Sequence, residues 1–266
     1  MSSKKLKYLI KSQSFEFAKN IEDKSFRLSS LNWNNIKVHY RTGSSDMVLI
    51  YEILLKSKYK KEYYFPEGLK PMVIFDIGGN IGITAIYLAS LFPDAMIYTF
   101  EPLKENFEIL KLNASQFKNI KVFNVGLGAK NGSFKVYLSE DHENFGGASF
   151  YSEVEGSLSK SFSECEVKNV NDVVDHLDIN SIDLIKIDTE GAEYDILTSI
   201  NYKFLKKTSW ITGELHGNRD FELLNYLANM GFLISLNKNI DNRLSMFNAG
   251  TQEIVSKLSR KEKKLF

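Results

Sequence analysis

The chain has 266 residues, 43% of them hydrophobic, enough to bury the core of one domain with an appended piece. A net charge of +1 gives no global electrostatic case for binding nucleic acid or an acidic membrane surface. The single cysteine, Cys165, excludes an intramolecular disulfide and a thiolate zinc site, and no apolar run is long enough to span a membrane.

The first residues lack the apolar core of a signal peptide, which makes the cytoplasm the expected location. Residues 1–70 read as a cap of short apolar patches. It holds a strand at 36–40 and a helix at 46–55, where Met47, Ile50, Tyr51 and Leu54 share one face. From residue 72 the pattern alternates: a strand from 73, a helix at 83–92, a strand at 96–100, a helix to about 117 and a strand at 120–125. Such alternation predicts a parallel sheet covered on both faces.

Residues 128–170 interrupt this order. Gly132, Gly146, Gly147 and Gly156 punctuate alternating runs at 133–138, 148–154 and 164–170, the pattern of β-hairpins inserted into an α/β domain. A connection this long is usually functional. Phe145, Phe150 and Tyr151 beside the Gly146-Gly147 pair could form a lid that stacks on a sugar, or only the insert's own small core. Asp141, His142 and Glu143 read as a solvated loop.

The alternation then resumes with a helix at 171–177, a strand at 182–188, a helix at 192–200, a strand at 209–215 and a helix at 219–230. Segments 232–237 and 251–256 close the sheet as an antiparallel pair at its edge. The α/β domain spans 71–258, and the basic residues 259–266 form a tail expected to be frayed and solvated.

The most chemical stretch is Val73-Ile74-Phe75-Asp76-Ile77-Gly78-Gly79-Asn80-Ile81-Gly82. A dinucleotide fingerprint would need glycine where Ile77 stands. The spacing that fits is D-x-G-x-x-x-G, an acid at the strand end followed by glycines two and six residues later. This resembles motif I of class I S-adenosylmethionine (SAM) methyltransferases. Asp76 could favour the ammonium or sulfonium of SAM. Glu101, ending the second strand about 20 residues beyond the turn, is spaced to accept both ribose hydroxyls. Pro102 suits the first turn of the next helix.

A second constellation lies in Ile182-Asp183-Leu184-Ile185-Lys186-Ile187-Asp188-Thr189-Glu190-Gly191-Ala192-Glu193. Lys186 and Asp188 share one strand face, and so does Glu190 if the strand persists. Glu214 and His216 share a face of the following strand. If these strands are neighbours, Lys186, Asp188, Glu214 and His216 converge at the carboxyl ends of the sheet, where open α/β sheets bind ligands. His216 is the expected general base and Asp188 the alternative. Plainer readings compete: a Lys186–Glu214 structural ion pair, and a Glu193 that only favours its helix N-terminus. Asp188, Glu190, Glu214 and His216 also fit a divalent metal in ligand type, although spacing alone does not establish one.

Three segments carry a family resemblance: DIGGNIG at 76–82, FEPLKENFEILKLN at 100–113 and IDLIKIDTEGAEYDIL at 182–197. They closely resemble the hallmark segments of FkbM-type SAM-dependent methyltransferases, and YRTGSSDMVLIYEILLKSKY at 40–59 is similar to that family's leader. The resemblance implies a class I Rossmann-like sheet of seven strands with an antiparallel last strand. It also implies that Asp76, Gly78, Gly79, Asn80, Gly82, Glu101 and Pro102 hold SAM, with Asn124 near the adenine.

FkbM-like enzymes mostly methylate hydroxyls, which points to O-methylation of a small-molecule or carbohydrate acceptor. A polar pocket lined by acids and histidine suits a sugar, as in capsule or lipopolysaccharide precursors, with Arg41 placed to meet an acceptor phosphate or carboxylate. The Lys-, Asn-, Ile- and Phe-rich composition fits an AT-rich bacterial gene. The alternatives are methylation of a small natural product, a NAD-linked sugar oxidoreductase or epimerase, and a non-catalytic subunit of the same fold.

Overall fold

The computed structural model describes residues 2–138, 148–149, 162–216, 218–239 and 245–266. The proposed lid residues Phe145, Gly146, Gly147, Phe150 and Tyr151 lie outside these, as do Asp141, His142 and Glu143.

Two short helices open the chain, α1 (Ser3–Ser12) and α2 (Phe15–Asn20), each capped by a serine. Ser2 accepts the Lys5 N–H and Ser14 that of Phe17. A hairpin follows, β1 (Leu28–Trp33) and β2 (Ile36–Arg41), turned through Asn34 and Asn35, both at positive φ. Asparagine tolerates that conformation, so two residues suffice for the turn. The expected helix from 46 forms as α3 (Asp46–Leu49) running into a π-helical turn at Ile50–Leu55.

The α/β unit then builds β3 (Val73–Ile77), α4 (Ile83–Leu91), β4 (Met96–Phe100), α5 (Lys104–Ala114) and β5 (Ile120–Phe123). The expected insert forms β7 (Gly132–Leu138), β8 (Ala148–Ser149) and β9 (Phe162–Asn169), joined by β6 (Gly126–Gly128), which was not expected. These make a four-stranded sheet in which β7 and β9 pair antiparallel. After it come α6 (Val170–His176), β10 (Leu184–Ile187), α7 (Glu193–Ser199), α8 (Tyr202–Leu205), β11 (Trp210–Leu215), α9 (Asp220–Asn229), β12 (Phe232–Asn239), β13 (Ser245–Thr251) and α10 (Gln252–Ser256).

The main sheet has seven strands in the order β12-β13-β11-β10-β3-β4-β5, and β13 alone runs against its neighbours. The final strand was expected at 251–256. It lies at 245–251, because Thr251 caps a helix there by accepting the Ile254 N–H. It also inserts between β11 and β12, leaving β12 at the edge.

Side chains of the sheet alternate between two cores. Ile74, Ile97 and Leu184 join the core on the side of α4 and the N-terminal segment. Phe75, Ile77, Ile185, Ile187 and Phe247 face α6, α7 and α9 on the other side. Tyr8 stacks on Tyr51 at 4.7 Å, and Phe17 meets Tyr40 edge-on at 5.1 Å, so the cap packs as core.

The C-terminal residues are docked, contrary to the frayed tail expected from their charge. Glu262 is buried and accepts the Tyr64 hydroxyl (2.8 Å) and the N–H groups of Glu67 (2.9 Å) and Ser259 (2.8 Å). Burial opposes its charge, but these donors outweigh it and lower its pKa to about 2. Phe266 packs on Trp210 at 5.6 Å.

Candidate active site

β3 ends in a turn that only glycine can make. Gly78 and Gly82 have φ of 78° and 87°, and Asn80 between them has φ of 47°. A Cβ on Gly78 would lie 1.8 Å from the Asp188 carbonyl oxygen, and one on Gly79 would lie 2.4 Å from Thr99 Cγ2. The turn is therefore pressed against β10 and β4. The N–H groups of Gly78 and Gly79 both donate to the Phe100 carbonyl, at 3.1 and 2.9 Å.

Lys186 holds the turn from below, donating to the Gly78 carbonyl at 2.6 Å. The parallel register sets Lys186 opposite Asp76 on one side and Thr212 on the other. Its ion partners are accordingly Asp76 and Asp188, each at 3.7 Å. The expected pairing with Glu214 is replaced by these, since Glu214 stands two residues beyond Thr212. Burial lowers the Lys186 pKa, but the surrounding acids outweigh that and raise it, so Lys186 is a cation.

Asp76 also moves away from its expected role. It is fully buried behind the turn, accepting Thr99 Oγ1 at 2.9 Å and facing Lys186. It supports the turn and does not line the cleft. Gly79 and Gly82 likewise pack inward, Gly82 against Leu110. Asn124 donates to the carbonyls of Glu101 (2.9 Å) and Pro102 (3.1 Å), bracing the segment after β4.

Gly78, Asn80, Glu101 and Pro102 do line a cleft, partly open to solvent, at the carboxyl ends of the strands. Glu101 is fixed by the N–H groups of Asn80 (2.8 Å) and Leu103 (2.9 Å), one on each carboxylate oxygen. Burial pushes its pKa up to about 7, against the pull of these donors.

The cleft also carries Glu62, Asp188, Glu190 and Glu214 in its wall. Glu62 comes from the N-terminal segment and hydrogen-bonds Glu214. Tyr63, beside it, donates to Asp188 Oδ2 at 3.0 Å. Sequence reasoning missed both, because the run from 58 to 65 mixes lysines and aromatics without periodicity. Glu190 sits at φ 56°, a strained position for a non-glycine residue beside a site.

His216 stands among four carboxylates and is almost wholly buried. Its Nδ1 lies 3.3 Å from Glu193, and its Nε2 lies 3.2 Å from Glu214, 3.6 Å from Glu190 and 4.0 Å from Asp188. Burial alone would lower its pKa, but the hydrogen bonds to Glu193 and Glu214 and the nearby charges raise it to about 11. His216 is therefore an imidazolium that has no free lone pair for an acceptor proton. These surroundings run against the expected general-base role. It neutralises the acids around it.

Asp188 is raised by burial despite Lys186, and burial with neighbouring acids lifts Glu62 and Glu190 to about 8. The cluster thus holds protons that the unfolded chain gives up. Stability from His216 is complete below about pH 6.5 and drains away as pH rises towards 11, and that from Glu62 and Glu190 drains between about 4.5 and 8. The thermal midpoint should fall steadily between about pH 6.5 and 8, each such group contributing up to about 1.4 kcal/mol per unit. A calorimetric scan in which it is flat or rises would contradict this protonation pattern.

For a metal, the atoms of Asp188, Glu193 and His216 approach within 4.8 Å of one another. Glu193 is already occupied, however. It accepts the N–H groups of Thr189 (2.9 Å) and Gly191 (3.0 Å) together with Thr189 Oγ1 (3.1 Å). A cation there would have to displace these donors and the His216 proton, so the trio fits a metal poorly. The expected dipole role of Glu193 takes the form of direct bonds closing the loop before α7.

The Methyltransferase FkbM domain matches residues 76–234, more than half of the chain. The chain belongs to this family. The matched region is an FkbM-type methyltransferase domain, which runs against the NAD-linked alternative. It is 26% identical over 204 residues to the AMB antimetabolite synthetase AmbE of Pseudomonas aeruginosa, a match covering 64% of this chain and 10% of that protein. To Methyltransferase 1 of Beauveria bassiana it is 25% identical over 146 residues (48% and 58%), and to the 2-O-methyltransferase NoeI of Sinorhizobium fredii 26% over 164 residues (56% and 65%). The chain spans less than two thirds of the length of each of these relatives. Among solved structures, Aeropyrum pernix fibrillarin with bound SAM aligns over 86% of both chains, at 13% identity and a TM-score of 0.46.

The residues of this FkbM domain fit SAM. Glu101 offers a carboxylate at the cleft, and the buried Asn80 Oδ1 has no hydrogen-bond partner among the described residues. No helix among the described residues is long and apolar enough to cross a membrane.

Proposed function

We propose that the chain transfers the SAM methyl to a hydroxyl of a carbohydrate acceptor, in the biosynthesis of a bacterial surface polysaccharide such as capsule or lipopolysaccharide. The observation that carries this reading is that Glu62, Asp188, Glu190 and Glu214 line the same cleft as Glu101. The ionised acids of this wall accept hydrogen bonds and the protonated ones also donate, and a sugar brings many hydroxyls that do both. The 2-O-methyltransferase among its relatives fits the same chemistry.

SAM supplies an electrophilic methyl group on sulfonium. Glu101 would accept its ribose hydroxyls, and the turn at Gly78 and Asn80 would shape the floor beneath it. Asp188 would hold the acceptor hydroxyl and take its proton as the new C–O bond forms. The Tyr63 hydroxyl and the Lys186 cation orient Asp188. The His216 charge keeps several acids together in one small volume.

A second reading is favoured by the antimetabolite synthetase relative, in which the acceptor is a small natural product. The two separate on incubation of the chain with SAM and panels of sugars, nucleotide sugars and hydroxylated natural products, followed by mass spectrometry. A gain of one CH₂ on a sugar compound supports the first reading. A gain confined to the natural products refutes it. Turnover should survive a chelator, because the cluster carries its own cation. Loss on chelation restored by Mg²⁺ or Mn²⁺ would return Asp188 to a metal role.

A further inference from the structure

Arg41 was expected to reach an acceptor anion, but the structure buries it. Its backbone N–H and Nε both donate to Asp46 Oδ2, and one terminal nitrogen donates to Asp46 Oδ1, all at 2.8 Å. That nitrogen also donates to Asn106 Oδ1 at 2.8 Å. Asn106, buried in the first turn of α5, hydrogen-bonds the Glu101 carboxylate in turn. An amide presents one acceptor and one donor side. With its oxygen claimed by Arg41, Asn106 can offer Glu101 only N–H.

We infer that Arg41 and Asn106 are positioning residues for Glu101, through which the N-terminal segment completes the SAM site. This rests on the reading that Glu101 receives the ribose hydroxyls. The guanidinium grips the start of α3, whose Ser45, Val48 and Leu49 form a wall of the same cleft. It thereby sets the orientation of the Asn106 amide. That amide adds a third donor to a carboxylate whose two oxygens already take the Asn80 and Leu103 N–H groups. Three donors thus fix the Glu101 carboxylate where it borders the cleft. Arg41 and Asn106, both outside the glycine turn and its strand, thereby set how well this acid meets the ribose hydroxyls. Such orientation is lost if the fork becomes a point charge, since lysine cannot bind Asp46 and Asn106 together in this plane.

The test compares affinity for S-adenosylhomocysteine with that for its analogue lacking both ribose hydroxyls, by calorimetry on the full chain. Asn106→Asp keeps the oxygen that Arg41 holds and removes the N–H given to Glu101. Arg41→Lys keeps charge and removes the fork. Each should lower the preference for the hydroxylated ligand about tenfold, the effect of one charge-assisted hydrogen bond, while affinity for the dihydroxy-lacking analogue barely changes. The preference is a ratio within one protein sample, so partial unfolding does not move it. If both ligands weaken equally and the ratio persists, the two residues are merely structural and the inference fails. Glu101→Gln is the control: it should collapse the ratio. A ratio intact in that variant would refute the ribose reading itself, whereas a collapse there with intact ratios in the other two refutes only the positioning role.

Discussion

Replacing Asp188 by Asn is expected to slow methyl transfer about 10²–10⁴-fold, the usual range for losing a general base, with little change in S-adenosylhomocysteine affinity. A sugar hydroxyl is a very weak acid, so its proton must leave as the oxygen bonds to carbon. Among the cleft acids, Asp188 is held by the Tyr63 hydroxyl at 3.0 Å and Lys186 at 3.7 Å. Burial raises its pKa above the usual carboxylate range, towards the value a base needs near neutrality. Asparagine preserves the shape and can still accept from Tyr63, and Lys186 keeps Asp76 as its partner. The variant should therefore fold at least as well as the parent, because one acid leaves a crowded set around His216. Single-turnover kinetics at saturating SAM would isolate the step. A rate within about threefold of the parent, well short of the range for a lost base, would exclude Asp188 and turn attention to Glu190.

The sheet was legible in the sequence because its strands are short apolar runs separated by glycine and helical periods, and each such feature is local. Apart from β6, which no expected run covers, and β8, whose expected run extends beyond the described residues, the strands from β3 to β11 come at the expected places within a few residues. The final strand was misplaced because Thr251 looks extended in sequence, whereas its side chain starts a helix. The cap was harder. Leu28–Trp33 alternates weakly in burial, and its pairing depends on the two left-handed asparagines after it.

In the site, Lys186, Asp188, Glu214 and His216 do converge, since parity along parallel strands is a property of sequence. Roles were less visible than positions. Asp76 is turned away from the cleft by a register that pairs it with Lys186, and His216 is surrounded by carboxylates of the 188–193 segment together with Glu214. Glu62 and Asn106 reach the cleft only through tertiary packing, which leaves no periodic trace in the chain.

Replacing Glu101 by Gln is expected to weaken S-adenosylhomocysteine binding by about 1.5–3 kcal/mol, the range for losing one charge-assisted hydrogen bond. The loss should depend on pH in a specific direction. Ribose hydroxyls donate, so the ligand needs the carboxylate form of Glu101. Burial, only partly offset by the Leu103 and Asn80 N–H groups and Asn106, sets its pKa at about 7 without ligand. Below that value the acid must first lose its proton, and affinity should drop about tenfold for each further pH unit. Above it, affinity should level off. In the Gln variant this slope should vanish, because the new side chain has no proton to lose. Its amide must also turn N–H towards one of the two backbone donors that the acid accepted from. That clash adds to the cost at every pH. Calorimetric titration of both proteins from pH 5 to about 8, spanning the Glu101 titration, reads both effects. Parallel pH profiles for the two would mean that the ribose does not meet this carboxylate, whatever the size of the offset between them.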